Sequence, residues 1–252
     1  MQDQFTGCLL GTAIGDAVGI PGEGNPVNLK LLGVQIVGLF IAFSLALFLP
    51  AGTISWPAGW AFLILFFGFV IAISLWLLRH NPGLLTERMT GAGKPDQKAW
   101  DKVFHLLAGV GFFSWLVLMA LDAVRFRWSQ MPLPLQGAGA FLLLASFALF
   151  FLTFRENAYL SPAVRVQSDR GQVVVSTGPY RHVRHPMYAA FILFALGTTL
   201  LLGSWYGLLL ALVLIVMVAW RSVREERTLR EELPGYVEYM ATVKYRLIPY
   251  LW

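Results

Sequence analysis

Two polar runs in the last third of the chain contain residue types that could bind a charged ligand and align reacting groups. The first covers residues 177–188 and the second covers residues 221–232, and no charged residue occurs between Met187 and Trp220. Ionisable side chains at the edge of hydrocarbon are energetically costly and are usually functional. We therefore expect the chemistry of this protein to occur where the two runs come together.

The first run has the features of an anion-binding helix start. The Thr-Gly-Pro segment 177–179 favours a turn, and Pro186 suits the first position of a helix, where its missing N–H has no cost. The positive dipole end of such a helix, with Arg184 nearby, suits a carboxylate or a phosphate. Tyr180 and Tyr188 could bracket an adenine or a sulfonium cation. The same residues could instead anchor the helix among lipid headgroups, and the first run alone leaves both interpretations open.

The second run continues the last apolar helix and ends before the Pro-Gly pair 234–235. Arg221 and Glu225 are four residues apart and therefore share one helical face, with Glu226 beside them. A solvated helix surface explains the charges of residues 227–232. It explains less well an arginine and two glutamates near the membrane boundary, so this run also favours a functional site.

The composition indicates which elements must position these residues. Hydrophobic residues make up 57% of the chain and charged residues 13%, against roughly 25% charged in a typical soluble domain. A membrane-spanning helix needs about 20 largely apolar residues. We predict an all-α integral membrane protein with about six hydrophobic helical segments, the last two forming a tight hairpin, followed by a cytoplasmic C-terminal helical tail. The segments are expected near 31–49, 57–78, 103–121 and 128–154, and in two arms of 187–220 that meet at Gly203-Ser204.

The distribution of Lys and Arg predicts the orientation. These residues concentrate in the loops 79–102 and 155–186 and in the tail after residue 221, and short basic loops face the cytoplasm. We therefore expect a multi-pass protein with both termini and the active site on the cytoplasmic side. The net charge of +5 follows from this bias and does not indicate nucleic-acid binding.

Cysteine and histidine usage argues against a metal centre. Cys8 is the single cysteine of the chain, which excludes an internal disulfide and any multi-cysteine site. The four histidines are not accompanied by a cluster of carboxylates or thiolates, and His182 and His185 have arginines beside them that would repel a cation. No metal is expected.

The chain divides into three regions by composition. Residues 1–24 are expected to be an unrelated N-terminal extension, 25–154 a four-span membrane region, and 155–252 the cofactor-binding and catalytic region. The segment 5–19 resembles the opening helix of the ADP-ribosylglycohydrolase family. Nothing after residue 24 resembles that family, so no activity is carried over. The extension is either a fusion remnant or a small-residue leader that lies on the membrane.

An ordered set of motifs covers the chain from about residue 79 to its end. The motifs are Gly178-x-Tyr180, Arg184-His-Pro-x-Tyr188, Glu225-Glu-x-x-Leu229, Gly235-Tyr236-x-x-Tyr239 and Tyr245-Arg-Leu-Ile-Pro249, preceded by Asn81-Pro-Gly-Leu-Leu-Thr-Glu-Arg88. This set resembles the isoprenylcysteine carboxyl methyltransferase family, and the related phospholipid methyltransferases share parts of it.

The resemblance implies S-adenosylmethionine bound in a cytoplasm-facing pocket under the tail 221–252, and methyl transfer to the carboxylate of a lipophilic, isoprenylcysteine-like acceptor in the membrane. Arg221 and Glu226 would lie nearest the reacting groups as catalytic residues, and Arg221 or Arg246 could hold the acceptor carboxylate. Either Glu225 or Glu226 could contact the cofactor, because the spacing to Gly235 leaves the assignment open by one residue. The residues implied to bind the cofactor are Tyr180, Arg184, His185, Pro186, Tyr188 and Glu225.

Other functions remain open on the sequence. The ending 244–250 also resembles membrane reductases of the sterol-reductase type, which use NADPH, and phospholipid N-methylation is a second methyl-transfer reaction. A membrane scaffold or transport protein without a catalytic site is the third alternative. Cofactor binding distinguishes these classes, because only a ligand that binds the folded state protects it against unfolding.

Overall fold

A computed structural model describes residues 27–90 and 97–252, and the predicted N-terminal extension 1–24 lies outside them. Within these residues the chain is helical and forms no β-strand, which confirms the predicted all-α class. The α-helices are α1 (Leu29–Ala51), α2 (Pro57–His80), α3 (Pro82–Met89), α4 (Ala99–Ala120), α5 (Leu133–Glu156), α6 (Pro186–Leu202), α7 (Trp205–Glu232) and α8 (Tyr236–Thr242). A π-helical turn, Leu121–Arg125, extends α4, and two short 3-10 turns are formed by Ser168–Arg170 and Gly178–Arg181.

Five of the described helices are long and apolar enough to cross a membrane: α1, α2, α4 with its π-helical turn, α5 and α7. The sixth apolar helix, α6, has only 17 residues. The predicted hydrophobic segments match these helices, except that the segment expected at 128–154 begins too early: α5 starts at Leu133, after the N-cap residue Pro132. The protein is a multi-pass integral membrane protein. The number of complete crossings stays a prediction.

Helices α5 and α6 pack with their backbones in contact. A Cβ atom added at Gly139 of α5 would lie 2.3 Å from the backbone nitrogen of Leu201, and one added at Gly197 of α6 would lie 2.7 Å from that of Leu143. Small residues allow this approach, and close packing is a main source of helix association in lipid. Because the two helices run antiparallel, the end of α5 is held beside the start of α6, where the first polar run lies.

Helices α6 and α7 form the predicted hairpin. Gly203 adopts a left-handed conformation with φ +83, which glycine tolerates at no steric cost. Ser204 caps α7, its hydroxyl accepting a hydrogen bond of 2.7 Å from the N–H of Gly207. The same hydroxyl donates to the buried carboxylate of Asp122 over 2.6 Å. The turn is therefore fixed, and α7 returns its charged end to the level at which α6 begins.

Candidate functional site

The two polar runs meet, as the sequence predicts. Helix α6 begins at Pro186, and the hydroxyl of Tyr188 in its first turn donates a hydrogen bond of 2.5 Å to the Oε2 atom of Glu225 in α7. The imidazole of His185 stacks on the ring of Tyr188 with 5.5 Å between the centroids. The start of α6 and the charged end of α7 thus form one continuous polar surface.

This surface lines a cavity of about 280 Å³, which we call the polar cavity. Its volume is close to the lower end of the range for small-molecule sites, about 300–1,000 Å³. Three further predicted residues, Pro186, Glu226 and Arg246, are not in its wall. The predicted site residues that line it are Tyr180, Arg184, His185, Tyr188, Arg221 and Glu225.

Glu226 lies behind the wall of the polar cavity, among two arginines and a histidine. Its Oε1 atom is 2.7 Å from Nε of Arg184 and 3.1 Å from Nε2 of His185, and its Oε2 atom is 2.8 Å from Nη2 of Arg246. The side chain of Glu226 is only 3% exposed. One carboxylate therefore ties together the start of α6, the end of α7 and the C-terminal tail.

The tail is laid directly across the residues before α6. The backbone N–H groups of Arg184 and His185 donate to the carbonyl oxygens of Tyr245 and Arg246 over 3.0 and 2.9 Å. Nη1 of Arg184 also donates to the carbonyl oxygens of Val243 and Lys244. The N–H groups before α6 therefore bind carbonyl oxygens of the chain's own tail. These two groups are not free to bind the anion that the sequence led us to expect at this helix start.

Arg221 is fixed by a buried carboxylate that the sequence motifs do not include. Its Nε atom donates to Oδ1 of Asp101 over 3.0 Å, and its Nη2 atom donates to the carbonyl oxygen of Pro162 over 2.6 Å. Asp101 is fully buried and also accepts from the N–H of Val164 and from Nε2 of Gln97, both over 2.8 Å. These contacts hold the guanidinium of Arg221 at the cavity wall with little freedom to move.

Buried tyrosines form the side of the polar cavity under the tail. The hydroxyl of Tyr180 accepts from Nδ2 of Asn157 over 2.8 Å, and the hydroxyl of Tyr239 donates to the carbonyl oxygen of Tyr180 over 2.7 Å. Burial raises the pKa of Tyr180, Tyr236 and Tyr239 above that of a free tyrosine, so all three stay neutral at physiological pH.

The hydroxyl of Tyr236 is a buried polar group of the cavity wall that lacks a partner among the described residues. It is buried, it belongs to a residue of the cavity wall, and it forms no hydrogen bond within residues 27–90 and 97–252. Leaving such a group unsatisfied costs about 1–3 kcal/mol. The cavity therefore fits a ligand with a polar atom near Tyr236. The described residues contain no group of three His, Cys, Asp or Glu side chains that could hold a metal ion.

Fold and site together define a helical membrane protein with a polar cavity at the open end of a helical hairpin. Residues 135–234 match the family model described as phospholipid methyltransferase. The chain is also 33% identical over 87 residues to the Protein-S-isoprenylcysteine O-methyltransferase of Schizosaccharomyces pombe, an alignment covering 34% of this chain and 37% of that protein.

Part of the chain is thus similar to membrane methyltransferases, and the resemblance predicted from its motifs is confirmed. The chain spans little more than a third of the length of the curated relative. The family match contains every predicted site residue except Arg246, and it begins well after Asp101 and Arg88. Asp101 was missed for a physical reason: at the first turn of α4, next to Lys102, it reads as an ordinary helix-start charge.

Proposed function

We propose that the protein is a membrane methyltransferase that uses S-adenosylmethionine and methylates the carboxylate of a lipophilic, isoprenylcysteine-like acceptor. The observation that carries this proposal is the contact between Tyr188 and Glu225. It joins the two motifs shared with methyltransferases around one cavity, whose wall includes the fixed guanidinium of Arg221 and the unpartnered hydroxyl of Tyr236.

The residues of the polar cavity fit the proposed cofactor. S-adenosylmethionine would supply an electrophilic methyl group on a sulfonium sulfur. The rings of Tyr180 and Tyr188 can attract that cation, and Glu225 retains acceptor capacity beyond its bond to Tyr188 for an amino or hydroxyl group. The hydroxyl of Tyr236 offers a further donor. We assign cofactor binding to these residues together with Arg184, His185 and the helix start at Pro186.

The acceptor needs alignment more than activation. A carboxyl group with an ordinary pKa near 4 is ionised at neutral pH, so no residue has to remove a proton from it. Positioning of the acceptor oxygen then becomes the main contribution of the protein. Arg221 suits this role because Asp101 and Pro162 fix its guanidinium at the cavity wall.

The contacts of Glu226 and Arg246 suggest roles in addition to those predicted from the sequence. The role of Glu226 near the reacting groups stays a prediction. Its contacts with Arg184, His185 and Arg246 suggest a second role, in which it holds the tail over the cavity. Arg246 pairs with Glu226, and its guanidinium carbon lies 4.7 Å from the ring centroid of Trp252. Its proposed contact with the substrate therefore requires it to leave at least part of this arrangement.

The polar cavity is proposed to face the cytoplasm. The three basic regions that the sequence assigns to that side contact one another: Lys98 pairs with Glu232 over 2.6 Å, and Arg88 donates to the carbonyl oxygen of Leu160. Regions in direct contact share one side of the membrane. After replacement of Cys8, cysteines at the exposed positions 90, 181 and 241 should be labelled from the cytoplasmic side and one at 130 from the opposite side. Labelling of position 90 from the side opposite to 241 would contradict this topology.

Phospholipid N-methylation is the second candidate, because the matched family is that of the phospholipid methyltransferases. Detergent-purified protein should first be titrated with S-adenosylmethionine and with NADPH in a thermal-shift assay, where only a bound ligand raises the melting temperature. Tritiated methyl transfer into lipid-extractable product is then measured with a prenylcysteine analogue, an isoprenoid acid and phosphatidylethanolamine. Protection by NADPH alone would refute the proposal, and transfer to phosphatidylethanolamine alone would replace it with the second candidate.

A further inference from the structure

A second cavity, of about 480 Å³, lies among the membrane helices, and we call it the apolar cavity. All six helices from α1 to α6 contribute to its wall. The wall is almost entirely aliphatic and aromatic, with Gln35 and Ser74 as its uncharged polar side chains. Arg88 of α3 is the one charged side chain among the described residues of this wall.

Arg88 lies where the two cavities meet. Arg88 and Met187 line both the apolar cavity and the polar cavity. One Nη atom of Arg88 donates to the carbonyl oxygen of Leu160 over 3.1 Å, and its guanidinium carbon lies 4.7 Å from the ring centroid of Phe154. A ligand that extends from one cavity into the other must therefore pass this guanidinium.

Arg88 differs from the other arginines of the site because it has no carboxylate partner within the described part of the chain. Arg221 pairs with Asp101, and Arg184 and Arg246 pair with Glu226. Burial and the neighbouring charge of Arg221 lower the pKa of Arg88 to about 10, which still leaves it protonated at neutral pH. A partly buried cation without a counter-ion is unfavourable, so an anionic ligand is expected at this point.

We propose that the apolar cavity holds the hydrophobic tail of the methyl acceptor and that Arg88 binds the acceptor's carboxylate at the junction of the two cavities. This inference rests on the proposed function and assigns its substrate as a lipophilic monocarboxylate. The charges of Arg221 and Arg246, the two arginines that the sequence suggested for this carboxylate, are balanced by Asp101 and Glu226. Arg88 would therefore supply the charge that binds the carboxylate, and Arg221 keeps its proposed role in aligning the oxygen that receives the methyl group. The apolar cavity, with the guanidinium of Arg88 at its junction with the polar cavity, complements a molecule with an apolar tail and one negatively charged group.

Binding of the acceptor can be measured without the cofactor, which separates this inference from the reaction itself. Detergent-purified protein is titrated with farnesylthioacetic acid and with its primary amide. The wild type should bind the acid at least about tenfold more tightly than the amide, because a charge-assisted contact to arginine is lost in the amide. Binding of this kind would persist even if the protein transferred no methyl group.

The matched variants are Arg88→Met, Arg88→Lys and Arg79→Met. Arg79 is an exposed arginine at the end of α2 and lies outside both cavity walls. Arg88→Met should bind acid and amide equally, Arg88→Lys should keep part of the preference, and Arg79→Met should behave as the wild type. Retention of the full preference for the acid in Arg88→Met would overturn the proposal. A loss of S-adenosylmethionine affinity with that preference intact would assign Arg88 to the cofactor instead.

The tail site is tested by filling the apolar cavity. Val70→Trp places a large ring in its wall, and Ile64→Trp places the same ring on an exposed position of the same helix, α2. Val70→Trp should weaken binding of acid and amide alike by about tenfold or more, since both lose the same apolar contact area. Ile64→Trp should change neither. Equal effects of the two variants would show that the acceptor's tail does not occupy this cavity. A co-purified phospholipid that farnesylthioacetic acid cannot displace would show that the cavity is a lipid site.

Discussion

Two neighbouring glutamates of helix α7 lie on different faces of the helix and make different contacts. Glu225 points to the polar cavity and has one described hydrogen-bond partner, the hydroxyl of Tyr188. Glu226, its neighbour in sequence, points to the C-terminal tail and binds Arg184, His185 and Arg246. A carboxylate with open acceptor capacity suits ligand binding, whereas one whose oxygens are already used suits architecture. We therefore distinguish residues that line the polar cavity, such as Glu225, from residues that hold the C-terminal tail in place, such as Glu226.

The largest expected effect is that of Glu226→Gln. The substitution removes a buried charge that pairs with two arginines, Arg184 and Arg246. Breaking one side of a buried ion pair typically destabilises a protein by about 3–5 kcal/mol. We expect a lower melting temperature and faster proteolysis after residue 232. Methyl transfer should fall by about a hundredfold or more, as when positioning is lost.

Glu225→Gln is the matched control for this prediction. It should keep the melting temperature within a few degrees and lower mainly the affinity for S-adenosylmethionine, because its contacts are on the cavity face. If Glu226→Gln lost turnover while its stability and proteolysis pattern stayed normal, Glu226 would act at the reacting groups and the two faces would not be distinct.

Arg221→Ala should affect chemistry more than binding. The fixed guanidinium is proposed to align the acceptor, so its loss should lower kcat by about a hundredfold while cofactor affinity changes much less. The control is Arg224→Ala, one turn along the same helix, where the guanidinium lies over the rings of Trp100 and Trp220 and outside the cavity wall. Comparable losses in both variants would mean that general helix charge, and not the cavity face, supports turnover.

Asp101 should act through Arg221. Its carboxylate contacts Arg221 and lies outside the wall of the polar cavity, so we assign it a positioning role. Asp101→Asn should lower kcat by about tenfold in the wild-type background and by much less in Arg221→Ala, because contacting residues are not additive. Equal effects in the two backgrounds would show an independent contribution from Asp101 to folding.

Several parts of the site were predictable from the local sequence. The helix start at Pro186, the hairpin turn at Gly203 and the meeting of the two polar runs follow from local rules on proline, glycine and charge near lipid, and the structure confirms them. The cofactor residues among them stay proposals. The choice between Glu225 and Glu226 could not be made, because it depends on which side of α7 the tail occupies.

Non-local contacts explain what the sequence did not reveal. Asp101 reaches Arg221 across 120 positions of sequence, and nothing in its local pattern distinguishes it from an exposed charge at a helix start. Arg88 stood in a recognised motif, but its place at the junction of two cavities depends on the packing of six helices. Such roles become visible only after the helices are assembled.

Tyr188→Phe sharpens the comparison on the cavity face. The substitution removes the donor to Glu225 and leaves the ring in place, so cofactor affinity should fall by about tenfold, the loss expected for a hydrogen bond to a charged group. His185→Ala should weaken cofactor binding as well, and it should also loosen the tail, since His185 contacts both Tyr188 and Glu226. Calorimetric titration with S-adenosylmethionine measures both effects. Unchanged affinity in both variants would return this run to the role of a lipid-headgroup anchor.

The smallest expected effect is a change in stability that has opposite signs for two tyrosines under the tail. Tyr239→Phe removes a hydroxyl that donates to the carbonyl oxygen of Tyr180, and it should destabilise the ligand-free protein by about 1 kcal/mol. Tyr236→Phe removes a buried hydroxyl without a described partner, so the ligand-free protein should be equally or slightly more stable. With saturating S-adenosylmethionine the wild type should become more stable than Tyr236→Phe. Only the wild-type hydroxyl can bond to the ligand, so the variant should gain less thermal protection. If Tyr236→Phe destabilised the ligand-free protein and left its protection by the cofactor unchanged, the hydroxyl would belong to the architecture of the tail and not to the cavity.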